Sequence, residues 1–185
     1  MKLKSIAIAL SLAILASCGA KENSSSSEVK TESQLSKALS DTTHLTFMGI
    51  AINGAPQEFA EAVKTKGFKD TEESGDDYIA LTGRFAGQDD VMLMIGFDPK
   101  LNLTHTITVS IPADRTVFTN LAHDMSEKYA GAENGLNTGS CKSFRTDKGS
   151  VSISMMEIAG EDAVLIQYID DKNTEASRTN NAADL

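Results

Sequence analysis

The sequence predicts an α+β fold: an antiparallel sheet of about six to seven strands with two helices on one face. Three segments alternate between apolar and polar residues, namely 78–85, 91–97 and 103–111. Alternation with period two, interrupted by short turns, is typical of antiparallel hairpins. Two further segments, 56–66 and 114–130, repeat their apolar residues at helical spacing, and each is followed by a glycine, a common helix stop signal.

The first strand and the first helix are predicted between residues 45 and 66. Leu45–Ile52 is a short apolar run closed by the turn dipeptide Asn53-Gly54. In the helix that follows, Pro56 takes the first position, Glu58 lies in the first turn and lysines lie in the last turn. These placements suit the missing backbone donor of proline and the direction of the helix dipole.

The three alternating strands give the predicted sheet two different faces. The face expected to lie against the helices consists of Ile79, Leu81, Phe85, Val91, Leu93, Ile95, Phe97, Leu103, Ile107, Val109 and Ile111. His105 shares the parity of Leu103 and Ile107 and is therefore expected to point toward the core. The opposite face carries Tyr78, Arg84, Met92, Met94, Thr106 and Thr108, joined by Ser154 and Met156 from a later strand. We regard it as the candidate binding face, because methionine adapts readily to varied partners.

A second helix is predicted from its N-cap Asp114 to Ala130, followed by a Gly/Asn-rich loop at 131–139. Three more strands are predicted at 142–146, 150–158 and 163–170. This order indicates two tandem β-α-β-β units within a single domain, residues 44–170. The polar tail, residues 171–185, has few apolar residues to pack and is expected to fray.

The acidic balance of the chain excludes some classes of partner. Seventeen lysines and arginines stand against twenty-six aspartates and glutamates, so the formal net charge is −9. Such a surface repels nucleic acid and anionic lipid headgroups. Aromatic residues make up only 5% of the chain, without any Trp, so a stacking platform for sugars is not expected.

The N-terminus carries an export signal. Two lysines precede the ten-residue apolar run Ile6–Leu15, which is too short to span a bilayer and fits the core of a secretory signal peptide. The segment Leu15-Ala16-Ser17-Cys18 follows and resembles the lipobox of bacterial lipoproteins. The resemblance implies that residues 1–17 are removed and that Cys18 carries acyl chains such as palmitate. Because Gly19 follows the cysteine, the resemblance also implies sorting to the outer membrane, on its periplasmic or its surface side.

Residues 18–43 are predicted to be a flexible tether between the lipid and the domain. Ser, Lys and Glu dominate this segment, and Val29, Leu35 and Leu39 are its only large apolar residues. Such a composition cannot bury enough surface to offset the entropy of ordering. We therefore expect a lipid-anchored protein of the cell envelope that contacts the membrane through its N-terminal lipid.

The sequence contains no recognisable catalytic constellation, and none for a metal or cofactor. His44, His105 and His123 are widely spaced, and neither HExxH nor CxxC occurs. Cys141 would become an activated nucleophile only beside a histidine such as His105. The acidic run 70–77 partly follows a calcium loop but lacks the closing glutamate, so a weak cation site stays an alternative to a solvated loop. We expect no enzyme activity, no cofactor and no bound metal.

Three segments from Phe47 onward, 47–54, 66–68 and 81–87, together with Phe59, resemble a group of uncharacterised envelope lipoproteins from gut Gram-negative bacteria. This resemblance implies no activity and no site residues. A looser architectural likeness is to the small lipoprotein of the outer-membrane barrel-assembly machinery and to the tandem-repeat β-lactamase inhibitor proteins.

The sequence therefore predicts a non-catalytic, lipid-anchored binding or accessory module of the envelope. Its expected partner is an envelope protein or a small ligand, and nucleic acid is not expected. The alternative is a proteinaceous inhibitor of a hydrolase, which would act through a projecting loop such as 131–139 or the acidic run 70–77.

The change Cys18→Ser is expected to abolish lipid attachment, because the cysteine thiol is the group that the predicted lipidation modifies. Metabolic labelling with palmitate should then yield no labelled protein, and the precursor should retain residues 1–17. Cys141→Ser is the matched control and should label like the unmodified chain. Equal labelling of Cys18→Ser and the unmodified chain would show that the N-terminus is not a lipoprotein signal.

Overall fold

The computed structural model describes residues 43–158 and 160–182. These residues form strands β1 (Thr46–Phe47), β2 (Ile50–Ala51), β3 (Lys69–Asp70), β4 (Tyr78–Phe85), β5 (Gln88–Asp98), β6 (Leu103–Pro112), β7 (Glu133–Thr138), β8 (Cys141–Arg145), β9 (Gly149–Ile158) and β10 (Glu161–Asp170). The helices of the same residues are α1 (Pro56–Lys64), α2 (Arg115–Lys128) and α3 (Asp171–Ala182). The predicted signal peptide, the lipobox with Cys18 and the tether up to residue 42 lie outside the described residues.

Eight of the strands form one sheet in the order β3-β4-β5-β6-β10-β9-β8-β7. Every pair of neighbours in it is antiparallel, so the predicted α+β class with a large antiparallel sheet is confirmed. The strand count was too low, partly because β7 occupies the predicted loop 131–139. Asn and Gly dominate this segment and have low β propensity, and β7 is held at the sheet edge by its pairing with β8.

The sheet is built from two units of the same topology. In each unit a helix precedes a four-stranded antiparallel meander: α1 precedes β3 to β6, and α2 precedes β7 to β10. The last strands of the two meanders, β6 and β10, pair with each other in the middle of the sheet, and we call this pairing the seam. The predicted β-α-β-β units were wrong, because β6 completes the first meander instead of opening the second unit.

The predicted first strand, 45–52, is a small hairpin outside the main sheet. Met48 and Gly49 have φ angles of 51° and 81°, and positive φ at two successive residues is the mark of a tight turn between antiparallel strands. Phe47 pairs with Ile50 across this turn, and both side chains are buried in the core. The hairpin therefore fills the core and adds no strand to the sheet edge.

One hydrophobic core combines the sheet with side chains from α1 and α2. The sheet contributes Leu81, Val91, Leu93, Ile95, Ile107, Val109 and Ile111 from its first half and Phe144, Val151, Ile153, Val164, Ile166 and Tyr168 from its second. The helices contribute Phe59, Ala60, Ala62 and Val63 from α1 and Phe118, Ala122 and Met125 from α2. We call this side of the sheet the inner face and the other side the open face. The alternation predicted along β5 and β6 is confirmed over most of their length.

A β-bulge changes the side-chain parity where β6 begins. The pairing with β5 skips His105, which is left as an extra residue between Thr104 and Thr106. Beyond such a bulge each side chain moves to the other face. Thr104 is fully buried, whereas Leu103 and His105, both predicted to face the core, are only half-buried. Their predicted orientation was wrong because the bulge cannot be read from the alternation.

The polar tail forms α3 instead of fraying, which adds a third helix to the two that were predicted. The side-chain amide of Asn173 donates to the carbonyls of Ile52 at 3.0 Å and Thr104 at 2.8 Å. The hydroxyl of Ser177 donates to Asp98 at 2.6 Å. These contacts place α3 at the end of the sheet where β6 begins and β10 ends. Hydrogen bonds replace the apolar packing that the tail lacks, so the ordered domain extends past residue 170.

A buried carboxyl group joins the first described residues to the last strand. Oδ1 of Asp170 lies 3.1 Å from Nδ1 of His44 and accepts the backbone N–H of Asn173 at 3.0 Å. Its other oxygen accepts the backbone N–H of Leu45 at 2.8 Å. The side chains of Asp170 and His44 are 0% and 3% exposed. We call these four residues the Asp170 cluster.

Asp170→Ala is expected to lower the free energy of unfolding by about 3 kcal/mol, because it deprives three buried groups of their partner. Asp171→Ala is the matched control at the next position. Asp171 pairs with Arg145 at the surface, where an ion pair contributes at most about 1 kcal/mol. Urea denaturation followed by circular dichroism measures both changes. Equal destabilisation by the two variants would contradict a special role for Asp170.

Candidate functional site

The open face presents one continuous surface across six adjacent strands. The register aligns its side chains in rows that cross β4, β5, β6, β10, β9 and β8. The three rows are Tyr78–Gly96–Thr106–Ile169–Ser150–Arg145, Ala80–Met94–Thr108–Gln167–Ser152–Ser143 and Thr82–Met92–Ser110–Leu165–Ser154–Cys141. With strands spaced about 4.8 Å apart, the surface is about 29 Å wide.

The structure places the eight predicted binding-face residues on this side of the sheet. Six of them stand in the three rows: Tyr78, Met92, Met94, Thr106, Thr108 and Ser154. Arg84 lies at the end of β4, where its Nε is 3.4 Å from the carboxylate of Asp89. Met156 extends the face along β9, where it pairs with Ala163 and is 44% exposed. The predicted residues are therefore neighbours on one surface.

The sequence reasoning missed the middle of this surface, which belongs to β10. Leu165, Gln167 and Ile169 lie between the hydroxyl-bearing positions of β6 and β9. They were missed because β10 is apolar on both faces, as expected of a strand in the middle of a sheet, and so shows no alternation. The amide of Gln167 in an otherwise apolar run was the one available signal. Cys141 also lies on this face, opposite Ser154.

Several polar side chains of the open face keep their hydrogen-bonding capacity. Among the described residues, none forms a side-chain hydrogen bond with Thr108, Ser110, Ser152, Ser154 or Gln167. All five are half-buried, so each is surrounded by neighbours yet reachable from outside. Hydroxyl and amide groups both donate and accept hydrogen bonds. A partner placed on this face can therefore pair with them without first breaking contacts inside the domain.

The rows of the open face are almost free of charge. Arg145 is the one ionisable charged residue in the three rows, and its guanidinium donates to Asp171 through two nitrogens, one of them at 2.9 Å. Arg84, beyond the rows, is likewise paired with Asp89. The three rows are therefore close to neutral in a chain with a formal charge of −9.

His105 is half-buried and contacts a neighbour on its own strand. Its Nδ1 lies 2.8 Å from the hydroxyl of Thr106. Burial lowers the pKa of His105 below its ordinary value, although the carboxylates of Asp98 and Asp77 oppose this effect. On β6 it is separated from Cys141 on β8 by two intervening strands, which is about 14 Å across the sheet alone, and the two residues are also two rows apart along the strands. The thiol–histidine pair considered from the sequence is therefore not formed.

The acidic run 70–77 closes one edge of the sheet. The hydroxyl of Ser74 accepts the backbone N–H of Ala80, and the hydroxyl of Thr71 donates to the carbonyl of the same residue. The backbone N–H of Gly75 donates to the carbonyl of Tyr78 at 3.0 Å. Within the part of the chain that the structure describes, no group of three His, Cys, Asp or Glu side chains is arranged to hold a metal ion.

Two clefts lie outside the open face or at its margin. One, of about 680 Å³, lies where α2 ends and is lined by Lys128, Tyr129 and Asp147. The other, of about 410 Å³, lies between α3 and the first row of the open face, where Ser150 and Ile169 line it together with Glu175 and Arg178. Both clefts mix cations with carboxylates. Neither offers the lining of a single sign that would select a charged ligand.

Cys141→Ser is expected to lower the free energy of unfolding by no more than about 1 kcal/mol, because the thiol is half-buried on a face of hydroxyls. Ile153→Ala, on the inner face of the neighbouring strand, is the comparison and should cost about 3 kcal/mol. Urea denaturation of both variants checks this difference. A loss of several kcal/mol in Cys141→Ser, or an activity that a thiol reagent blocks, would contradict a passive role for the thiol.

No protein-family model, curated protein or solved structure is significantly similar to this chain. The resemblance to envelope lipoproteins stays a prediction from the sequence.

Proposed function

We propose that this protein is a lipid-anchored, non-catalytic module of the cell envelope that binds a partner protein through its open face. The observation that carries the proposal is the combination of near-neutrality across six strands and unused hydrogen-bonding capacity on three of them, β6, β10 and β9. A solvent-facing sheet surface in a highly charged chain normally carries charged side chains, which keep it hydrated. Here those side chains are replaced by Met, Ser, Thr and Gln.

The chemistry of the open face favours a protein partner over a small ligand. The face is a broad surface about 29 Å wide, whereas small molecules are usually bound in deep pockets. Methionines such as Met92 and Met94 supply adaptable apolar contacts. Hydroxyls such as Thr108 and Ser154 supply hydrogen bonds. A mixture of apolar contacts, hydrogen bonds and few charges is typical of the centre of a protein interface.

The attachment to the membrane rests on the predicted lipid at Cys18. None of the helices formed by the described residues is long and apolar enough to span a bilayer. The described chain enters the domain at the Asp170 cluster, where His44 and Leu45 contact the end of β10. The opposite end of β10 pairs Glu161 with Ile158, about 30 Å away along the strands. A tether attached at one end of the sheet leaves the open face accessible from the side, with the outer membrane as the proposed location.

The alternative function, inhibition of a hydrolase, is favoured by one observation on β7. Leu136 is 59% exposed on this edge strand, within the segment that the sequence analysis named as a projecting loop. The backbone N–H of Leu136 donates to the hydroxyl of Ser143 at 2.7 Å, which helps to hold the residue in place. An exposed apolar side chain on a fixed strand is a suitable plug for a protease or lactamase cleft.

The proposal is tested by placing charges on the open face without disturbing the core. Thr108→Glu combined with Ser154→Glu should change the melting temperature by no more than about 3 °C, because both side chains are only half-buried. The same variant should lose the cross-linked species that the unmodified protein forms in intact envelopes, since two buried carboxylates oppose an interface.

The matched control is Thr116→Glu combined with Thr119→Glu, which adds the same charge to exposed positions of α2. This control should keep every cross-linked species. Retention of all species by the open-face variant would show that the open face is not the docking surface, and attention would move to Leu136.

A further inference from the structure

We infer that the partner seated on the open face is a second copy of this chain, so that two molecules associate face to face. This inference rests on the proposed function, which assigns docking to the open face, and it adds the identity of the partner. Three properties of the face carry it: the kind of groups it contains, the distribution of charge around it and its size.

The groups on the face can each pair with a copy of themselves. A hydroxyl donates to one neighbour and accepts from another, and the amide of Gln167 does the same. Methionine side chains such as Met94 pack against any apolar surface, including other methionines. A symmetric dimer requires this property, because the same surface patch is used on both molecules. A face built from carboxylates or from guanidinium groups would repel its own copy.

The charge distribution makes the open face the surface through which two copies of this acidic chain repel each other least. The net charge of −9 opposes association through acidic surfaces. Exposed carboxylates lie on the helix side at Glu58, Glu61, Asp124 and Glu127, and at the hairpin ends of the sheet at Asp89, Asp90, Glu157, Glu161 and Asp162. The rows of the open face hold no carboxylate, and their Arg145 is neutralised within its own chain by Asp171. Two carboxylates stand at the margin of the rows, Asp171 and Glu175, and each lies near an arginine, Arg145 and Arg178. Contact through these rows therefore brings fewer unpaired acidic groups together than contact through the helix side or the hairpin ends.

The size of the face reaches what a specific interface needs. Six strands at about 4.8 Å spacing and three rows at about 6.8 Å spacing give an area of about 600 Å². Two copies would bury about 1,200 Å² in total, which is the lower limit for specific protein interfaces. An interface of this size, with hydroxyls and methionines but no aromatic anchor at its centre, should give a reversible dimer with a dissociation constant of about micromolar order.

The geometry also limits the assembly to two copies. When one patch pairs with the same patch on a second molecule, both patches are consumed and the assembly closes. Further growth would have to use the sheet edges. One of these edges is covered by residues 70–77, whose Thr71 and Ser74 hydroxyls occupy backbone groups of β4.

The test is sedimentation velocity on the full chain in density-matched detergent, over a dilution series from about 100 to about 0.1 μM. The unmodified chain should change from dimer to monomer within this range. Thr108→Glu should weaken self-association at least about tenfold, because the two-fold contact places both new carboxylates inside one small interface. Thr119→Glu, which adds the same charge to an exposed position of α2, should dimerise like the unmodified chain.

The outcomes separate this inference from the proposed function. A monomer at every concentration, or equal weakening by Thr108→Glu and Thr119→Glu, would overturn the second copy as the partner. If the monomeric chain still lost its envelope cross-links on Thr108→Glu with Ser154→Glu, the open face would remain a docking surface for a different protein. If the chain dimerised as expected and its envelope cross-links joined only identical copies, both the inference and the function would be supported.

Discussion

The arrangement of the domain depends on one buried carboxyl group, that of Asp170. A carboxyl group removed from water must be satisfied by other polar groups, and here the partners come from distant parts of the sequence. His44 and Leu45 approach from the N-terminal side, and Asn173 approaches from α3. The need to satisfy Asp170 therefore fixes where the chain enters the domain and where its last helix begins. Asn173 ties α3 to two more segments. Its side-chain amide donates to the carbonyl of Ile52, which precedes α1, and to the carbonyl of Thr104 in β6.

With the first described residues and the start of α3 fixed at one end of the sheet, the remaining surfaces acquire separate roles. The inner face is consumed by the core, and the edge at β3 and β4 is covered by residues 70–77. On the open face, half-buried side chains such as Thr108 and Gln167 form no side-chain hydrogen bond with other described residues. The central strand of this face, β10, is apolar on this side as well, at Leu165 and Ile169, and polar only at Gln167. Stability comes from the inner face, so the composition of the open face is available for contacts with other molecules.

Local patterns in the sequence predicted the elements that depend on local chemistry. The alternation of Val91, Leu93 and Ile95 identified β5 and its inner face, and Asp114 was recognised as the cap of α2, where it accepts two backbone N–H groups. The patterns failed where distant residues decide the outcome. Nothing near Asn173 indicates that two remote carbonyls will hold α3 in place. The bulge at His105 reflects the pairing of two strands, and neither strand reveals it alone. The same limit applies to the open face, whose outer residues could be named from alternation while β10 could not.

The seam between β6 and β10 has a consequence for how the chain assembles. Within each meander, neighbouring strands follow one another along the chain, so their pairing closes only short loops. The seam joins residues more than fifty positions apart, such as Pro112 and Ala163. Its formation therefore has a larger loop-closure entropy cost than the pairing of strands within either meander. β10 is also synthesised after every other strand of this sheet. Until β10 is present, β6 is an edge strand with unpaired backbone groups. Apolar side chains of β6 such as Val109 also lack their neighbours on β10, in this case Ile166. The first half of the sheet is thus exposed to wrong pairing during synthesis, and that exposure ends only when β10 pairs with β6.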